Sequence, residues 1–304
     1  MRIYECMSVK DNSFGIAPLQ QKMLEILKEF IFLCDKHNLR YWLAGGSLIG
    51  VIRHQGFIPW DDDLDVFMPR PDYEKMWSLL GGAMIDGHFV LCRTNKDKNY
   101  HHRVMQLVDT ETTFIHSRCR DEDIEHGVYI DIIPLDGCPN GKLKRLSQIV
   151  NAIIYSIYNI QCPPEYNSGK LTGIITFLSK IMLGIVKSRE TRYRIWKKAE
   201  ARMTRYSFED CEYVKVITAD VYALLHPFLR DWFKGTQTGQ FEDINVSIPS
   251  GTEEYLTLRY GDYMELPPKS KQVTVHHTEC IDLNRPYTEY KGKYYCVGGE
   301  RNDE

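Results

Sequence analysis

Apolar positions recur at helical spacing between residues 17 and 37, where Leu19, Met23, Leu27, Phe30 and Cys34 share one face and Pro18 suits the first turn. Over residues 41–76 the pattern shortens. It predicts a brief apolar strand, a Gly-Gly-Ser turn, a short helix over Leu48–Ile52, a loop, and a second strand. Asp72 stands where an N-cap belongs, ahead of a helix running toward Leu80 and closed by Gly81 and Gly82. From His88 to Pro134 the segments HFVLCRT, HHRVMQLVD and GVYIDIIPLD read as strands. Residues 1–140 are therefore expected to form one α/β (α+β) core, a mixed sheet flanked by helices.

Residues 141–212 change character and read as a helical insertion, and 213–304 as a mixed C-terminal part that completes the site. LKRLSQIVNAIIYSIYNI and LTGIITFLSKIMLGIVK are apolar helical segments separated by CPPEYNSGK. Lys144, Arg145, Asn151 and Lys180 interrupt them, so neither has the uninterrupted run that a spanning helix needs. The plainer expectation is an insertion packed on the core. The sharper one is a hairpin over 142–187 that lies on a membrane surface, with Lys142, Lys144 and Arg145 beside it.

Composition narrows the function. The formal charge of −3 argues against a nucleic-acid binder, which would show a strongly basic face. Nine cysteines, an odd number without any CxxC pair, read as reduced thiols and not as a disulfide framework or zinc ribbon. The opening residues MRIYECMSVKDNS contain no apolar signal core, so a cytoplasmic location is expected, with peripheral contact at the inner membrane face if the acceptor is lipid-linked.

The chemistry is concentrated after Trp60. Asp61, Asp62, Asp63 and Asp65 place four carboxylates within five residues, ahead of the apolar Val66, Phe67 and Met68. Burying such charge without a cation is costly. On a strand, Asp63 and Asp65 point one way while Leu64 and Val66 face the core, which makes half of a magnesium (or manganese) site. Asp131, flanked by Ile130, Ile132 and Ile133, is either a hydrogen-bonded structural residue or the third carboxylate expected from a neighbouring strand, and the acidic run beside it favours the ligand reading. Gly45 and Gly46 permit close backbone approach, and Ser47 opens a helix whose amide hydrogens suit an anion. Arg53 and His54, read as lying in the loop before the acidic strand, offer a phosphate grip and a proton shuttle; the plainer readings are an Arg–Asp pair and a structural histidine. Asp61 either takes a second ion, accepts the proton of an attacking hydroxyl, or stays in the outer shell. Trp60 either stacks on a ligand or packs beneath the strand. Arg259 and Asp262 either line a pocket or belong to the turn at Gly261. Adjacent His276 and His277 point apart on a strand and are expected at the surface or against substrate, and His101 and His102 lack metal-ligand spacing.

The run GGSLIGVIRHQGFIPWDDDLDVFMPRPDYEKM resembles the LicD family, which extends to the fukutin-related proteins. The shared features fall on Gly45–Ser47, Arg53–Trp60 and Asp61–Asp65, with further patches at YIDIIPLDG and at YLTLRYGDYMELPP and the following His-His; Gln55 departs from the pattern and is expected to tune a contact. The resemblance implies a nucleotidyltransferase-like fold. It also implies transfer of phosphocholine, or a similar phospho-alcohol, from a CDP-linked alcohol donor to a hydroxyl of a cell-surface glycan or glycolipid, as in lipopolysaccharide or capsule biosynthesis. Asp63, Asp65 and Asp131 are then the metal ligands, with Asp61 catalytic beside them. The competing readings are a nucleotidylyltransferase acting on a small molecule or protein, and a silent scaffold that binds a glycan or partner.

Overall fold

The computed structural model describes residues 15–161, 170–218, 221–274 and 276–297. The elements follow in the order α1 (Ala17–His37), β1 (Trp42–Leu43), α2 (Gly45–His54), β2 (Asp65–Pro69), α3 (Arg70–Leu80), β3 (Met84–Ile85), β4 (Phe89–Cys92), β5 (Met105–Asp109), β6 (Thr113–His116) and β7 (Val128–Cys138). There follow α4 (Lys142–Ile160), α5 (Lys170–Ile185), α6 (Arg189–Met203), β8 (Tyr213–Lys215), α7 (Val221–Leu225), β9 (Phe228–Leu229), β10 (Thr236–Phe241), β11 (Ile244–Pro249), α8 (Thr252–Tyr260) and β12 (Thr278–Asp282).

The main sheet runs β1-β2-β7-β5-β4-β3, with β8 and β9 joined through β7. It is mixed: β2 and β7 are parallel, and β1–β2, β7–β5, β5–β4 and β4–β3 are antiparallel. The strand β7 is long enough to do two jobs, since its first half pairs with β2 and β5 and its last three residues pair with β8. Isoleucines 130 and 132 on one face are fully buried, while Asp131 and Ile133 on the other are less so. The core joins α1, the sheet, and the β10–β11 hairpin, because Leu27, Phe30, Val66, Met68, Ile132, Phe241 and Leu256 belong to one cluster.

The helix at 17–37 forms where its periodicity placed it, with all five of its predicted inward residues buried. Its neighbour α3 starts three residues earlier than expected: Pro69 is the N-cap, and Asp72 lies inside the first turn and accepts from Arg40 Nε at 2.8 Å. Pro71 explains the shift, because its fixed φ suits the first helical turn. The bidentate contact from Arg70 to Asp136, 2.7 Å on each arm, then ties α3 to β7.

The helices α4 and α6 build a second cluster around Ala152, Tyr155, Tyr158, Trp196, Ala199 and Met203. Arg93 joins this block to the core by bonding Glu74 on α3 and Glu200 on α6. Among the described residues no helix is long and apolar enough to cross a membrane. Six of the described cysteines are free, but Cys280 is disulfide-bonded, so the expectation of wholly reduced thiols fails at that position.

Candidate metal and phosphate site

The acidic run crosses the end of the sheet at the junction of β1, β2 and β7. Asp65 is the first residue of β2 and sits in register with Asp131 on the parallel β7. Asp131 in turn faces Gln106 on β5, whose Nε2 donates to Asp131 Oδ1 at 2.8 Å. Asp63 precedes the strand instead of lying within it, which corrects the sequence reading. The alternation nevertheless holds: Asp61, Asp63 and Asp65 are partly exposed, whereas Asp62, Leu64 and Val66 are buried.

The glycines earn their place by proximity. The helix α2 begins at Gly45, two residues before the serine expected to open it, and Gly45 has φ +54°. A Cβ at Gly45 would stand 3.1 Å from Asp65 Oδ2, and one at Gly46 only 2.5 Å from Asp61 Oδ2. Only residues without side chains let a helix N-terminus approach two carboxylates this closely. The Ser47 hydroxyl points toward the strand and accepts the Asp65 backbone N–H at 3.0 Å, so it fixes the start of β2. The acidic loop is held from the other side by α1, where Gln20 Nε2 donates to the carbonyls of Ile58 and Asp61, each at 3.0 Å.

Electrostatically the cluster is unsatisfied by protein alone. Burial, then the neighbouring charge of Asp63, pushes Asp61 up to about 8. Burial and the charges of Asp63, Asp131 and Asp61 hold Asp65 well above the usual carboxylate range. Asp63 is also raised, chiefly by burial, against the opposing pull of His276. Asp131 rises to about 6 through burial, with the Gln106 hydrogen bond working against it. Hard oxygen donors that repel one another in a partly desolvated place fit a divalent cation. Among the described residues no group of three His, Cys, Asp or Glu side chains already stands at metal-binding geometry. A magnesium site completed by substrate phosphate needs only one or two carboxylates from the protein.

Of the two places expected for His276, the surface or the substrate side, the structure puts it at the acidic run. It is partly buried at the site, not at the surface: its Nδ1 lies 3.0 Å from Asp62 Oδ1, its backbone N–H donates to Asp62 Oδ2 at 3.1 Å, and its Nε2 is 3.9 Å from Asp63 Oδ2. Burial would lower its pKa, but the Asp62 hydrogen bond and the charges of Asp63 and Asp62 outweigh it and raise it to about 9. Asp62, the buried carboxylate of the run, thus anchors a cationic imidazole beside it. His116 packs edge-on against His276, with ring centroids 5.2 Å apart, and contacts the Tyr129 hydroxyl.

Arg53 and His54 end α2 and do not lie in the loop. Arg53 donates from Nη1 to the carbonyls of Tyr263 and Glu265 (2.8 and 3.2 Å) and from Nε to His54 Nε2. Burial lowers both of their pKa values. Their contacts thus hold the segment after α8 against α2. That segment encloses a cleft of about 440 Å³ whose lining includes Arg53, Ile58, Trp60, Tyr260, Asp262 and Tyr263. The Tyr260 hydroxyl lies 3.5 Å from a Cβ built on Gly45, so the cleft adjoins the carboxylates. Trp60 both lines the cleft and packs on the core. Arg259 stacks over Tyr222 and Tyr260, whereas Asp262 faces the cleft. Gln55 ends α2 with φ 55° and lends its carbonyl to Glu242 N–H. His101 contacts Glu122 and the Ile160 carbonyl, away from the acidic run.

Comparison with known proteins agrees with the segment that carries this geometry. Residues 38–135 match the LicD/FKTN/FKRP nucleotidyltransferase domain. The chain is 26% identical over 265 residues to the lipopolysaccharide cholinephosphotransferase LicD of Haemophilus influenzae, spanning 86% of this chain and 95% of that protein. It is 35% identical over 65 residues to the human ribitol 5-phosphate transferase FKRP, spanning 20% of this chain and 13% of FKRP. A Rickettsia prowazekii protein, RP689, is 42% identical over 58 residues, 19% of this chain and 22% of its own.

Proposed function

From a chain whose residues 38–135 match the LicD/FKTN/FKRP nucleotidyltransferase domain, we propose a phosphotransferase that moves phosphocholine, or a similar phospho-alcohol, from a CDP-linked donor to a hydroxyl of a glycan or glycolipid. The observation that carries this reading is the in-register pair Asp65 and Asp131 beside a helix N-terminus stripped of side chains at Gly45 and Gly46. The relatives' names, a cholinephosphotransferase and a ribitol 5-phosphate transferase, favour a phospho-alcohol as the group moved. The nucleotidyltransferase-like fold belongs to the same proposal.

Asp63, Asp65 and Asp131 would hold magnesium or manganese, which when bound neutralises charge on the phosphates and on the departing nucleotide. The chain's own residues do the rest. Amides at the start of α2 orient a phosphate oxygen, since the helix terminus offers unpaired N–H groups and a favourable dipole. Asp61, pressed against Gly46, accepts the proton of the acceptor hydroxyl as its oxygen bonds to the transferred phosphorus. The bond from that phosphorus to the cytidine monophosphate oxygen breaks, and cytidine monophosphate leaves. His276, held by Asp62, steadies Asp63 from behind. The cleft lined by Trp60, Tyr260 and Tyr263 provides aromatic faces for the base of the donor or a sugar of the acceptor.

The test is to supply magnesium, a panel of CDP-linked alcohols and a glycan acceptor mixture, and to follow cytidine monophosphate. Metal-dependent release with one donor supports the proposal and names the group. Consumption of a nucleoside triphosphate with pyrophosphate release would replace it with nucleotidylyl transfer.

A further inference from the structure

The helices α4 and α5 are apolar on two sides, and only one side of each is used. On α4 the inner face, with Ala152, Tyr155 and Tyr158, packs against Trp196, Ala199 and Met203 of α6. On α5, Met182 and Leu183, with Val186 just after it, pack against the same cluster, and Arg192 clamps the carbonyls of Leu183 and Val186. What remains is a second stripe on each helix. Leu143, Leu146 and Val150 recur at i, i+3 and i+7 with exposures of 82%, 57% and 46%. Phe177, Ile181 and Ile185 recur at i, i+4 and i+8 with 65%, 43% and 76%. Such spacing makes an apolar stripe along each helix, and an exposed apolar stripe beside lysines marks an interaction surface.

Charge indicates what covers it. Residues 142–187 contain Lys142, Lys144, Arg145, Lys170, Lys180 and Lys187 against Glu165 alone, a local charge of +5, in a chain whose total is −3. The remainder of the molecule therefore carries −8. Lys142, Lys144, Lys180 and Lys187 are exposed beside the apolar stripes. Two copies meeting through this face would bring like charges together, which disfavours self-association. A spanning role is excluded for these helices by their length and composition.

We propose that the exposed stripes of α4 and α5 are docking faces for an anionic lipid bilayer, with their apolar side chains entering the interface and Lys142, Lys144, Lys180 and Lys187 meeting lipid phosphates. The acidic remainder is repelled by the same surface, which orients the molecule with its core away from the lipid.

Co-sedimentation with vesicles tests this without reference to turnover, so the outcome is separable from that of the transferase reading. Phosphatidylcholine vesicles with and without phosphatidylglycerol are compared at low and high salt. The expected result is binding that requires phosphatidylglycerol and fades with salt. Lys142→Glu with Lys144→Glu should weaken it, by about fivefold for each basic side chain removed from the surface. Leu146→Gln with Ile185→Gln should also release the protein while its melting temperature is retained. Equal binding to both vesicles, or none to either, overturns the proposal. So does a lipid-free dimer that Leu146→Gln with Ile185→Gln converts to monomer, because the face would then join two copies of this chain.

Discussion

Gly46 lies so near Asp61 that a single methyl group would displace the carboxylate. Gly46→Ala puts a carbon 2.5 Å from Asp61 Oδ2, and the three nearest atoms it would meet all belong to the Asp61 carboxylate. The expected outcome is a loss of turnover of about 100-fold, as for other displacements near 1 Å, with an unchanged melting temperature; steady-state kinetics and a thermal melt check it together. His276 acts at longer reach. Its partners Asp62 and Asp63 lie more than 200 positions away in sequence, with Asp62 at a separation of 214. His276→Ala is expected to lower activity and apparent metal affinity by about 10- to 100-fold, as loss of outer-shell partners does. Titrating activity against magnesium measures both, and an unchanged titration would assign His276 to structure alone. At this scale the sequence exposed the carboxylates and glycines because they are contiguous, and Asp131 because a lone charge stands out between isoleucines. It could not expose His276, since nothing local distinguishes it from His277.

At the scale of elements, α3 and β7 are locked by Arg70 and Asp136, both buried. Burial raises the Asp136 pKa even against Arg70, while the charge and hydrogen bond of Asp136 hold Arg70 above its usual range despite burial. The pair is thus needed more than it is profitable. Arg70→Met alone should cost about 3–5 kcal/mol by leaving Asp136 buried without its partner, whereas Arg70→Met with Asp136→Leu should recover most of that loss. Urea denaturation of the three proteins decides it. The periodicities of α1 and of the strands near 89, 105 and 128 were readable because each is long or strictly alternating. The β6–β12 pair was not, because it joins residues 113–116 to 278–282 and its pattern makes sense only once they meet. The start of α3 was misread for a different reason: Asp72 looks like a cap, but Pro71 allows the helix to begin before it.

For the whole molecule, three buried histidines resist protonation while the carboxylates of the site favour it. Burial lowers the pKa of His102, His116 and His126, with positive neighbours such as Arg118 adding to the effect at His102 and His116. His116 falls to about 3. The unfolded chain takes up these protons near pH 6.5, which the folded chain refuses until lower pH, about 3 for His116. Their contribution to stability is therefore complete above about pH 6.5 and is lost as pH falls below it, by on the order of 1 kcal/mol per histidine per pH unit. Asp61, Asp65 and Asp131, whose pKa values are raised, gain stability over the same fall, so the histidine share is read by difference: His116→Gln should melt with less acid sensitivity than the wild type between about pH 7.5 and about pH 5.5. The division of the chain into a sheet-bearing part and a helical block was partly legible through the change from alternating to helical periodicity at 142. The contribution of β8 and β9 to the same sheet was not, because strands of three and two residues carry no period.

The central claim is that Asp65 and its neighbours are arranged for a divalent cation and not for each other. Thermal melts of the wild type and Asp65→Asn, each in chelator and in magnesium, test it most directly. In chelator the variant should be at least as stable as the wild type, because it removes a carboxylate that burial and its neighbours already disfavour. Magnesium should then raise the melting temperature of the wild type and leave the variant almost unmoved. A variant that is much less stable in chelator, with magnesium shifting both proteins equally, would mean that Asp65 is a structural residue and that the cation binds elsewhere.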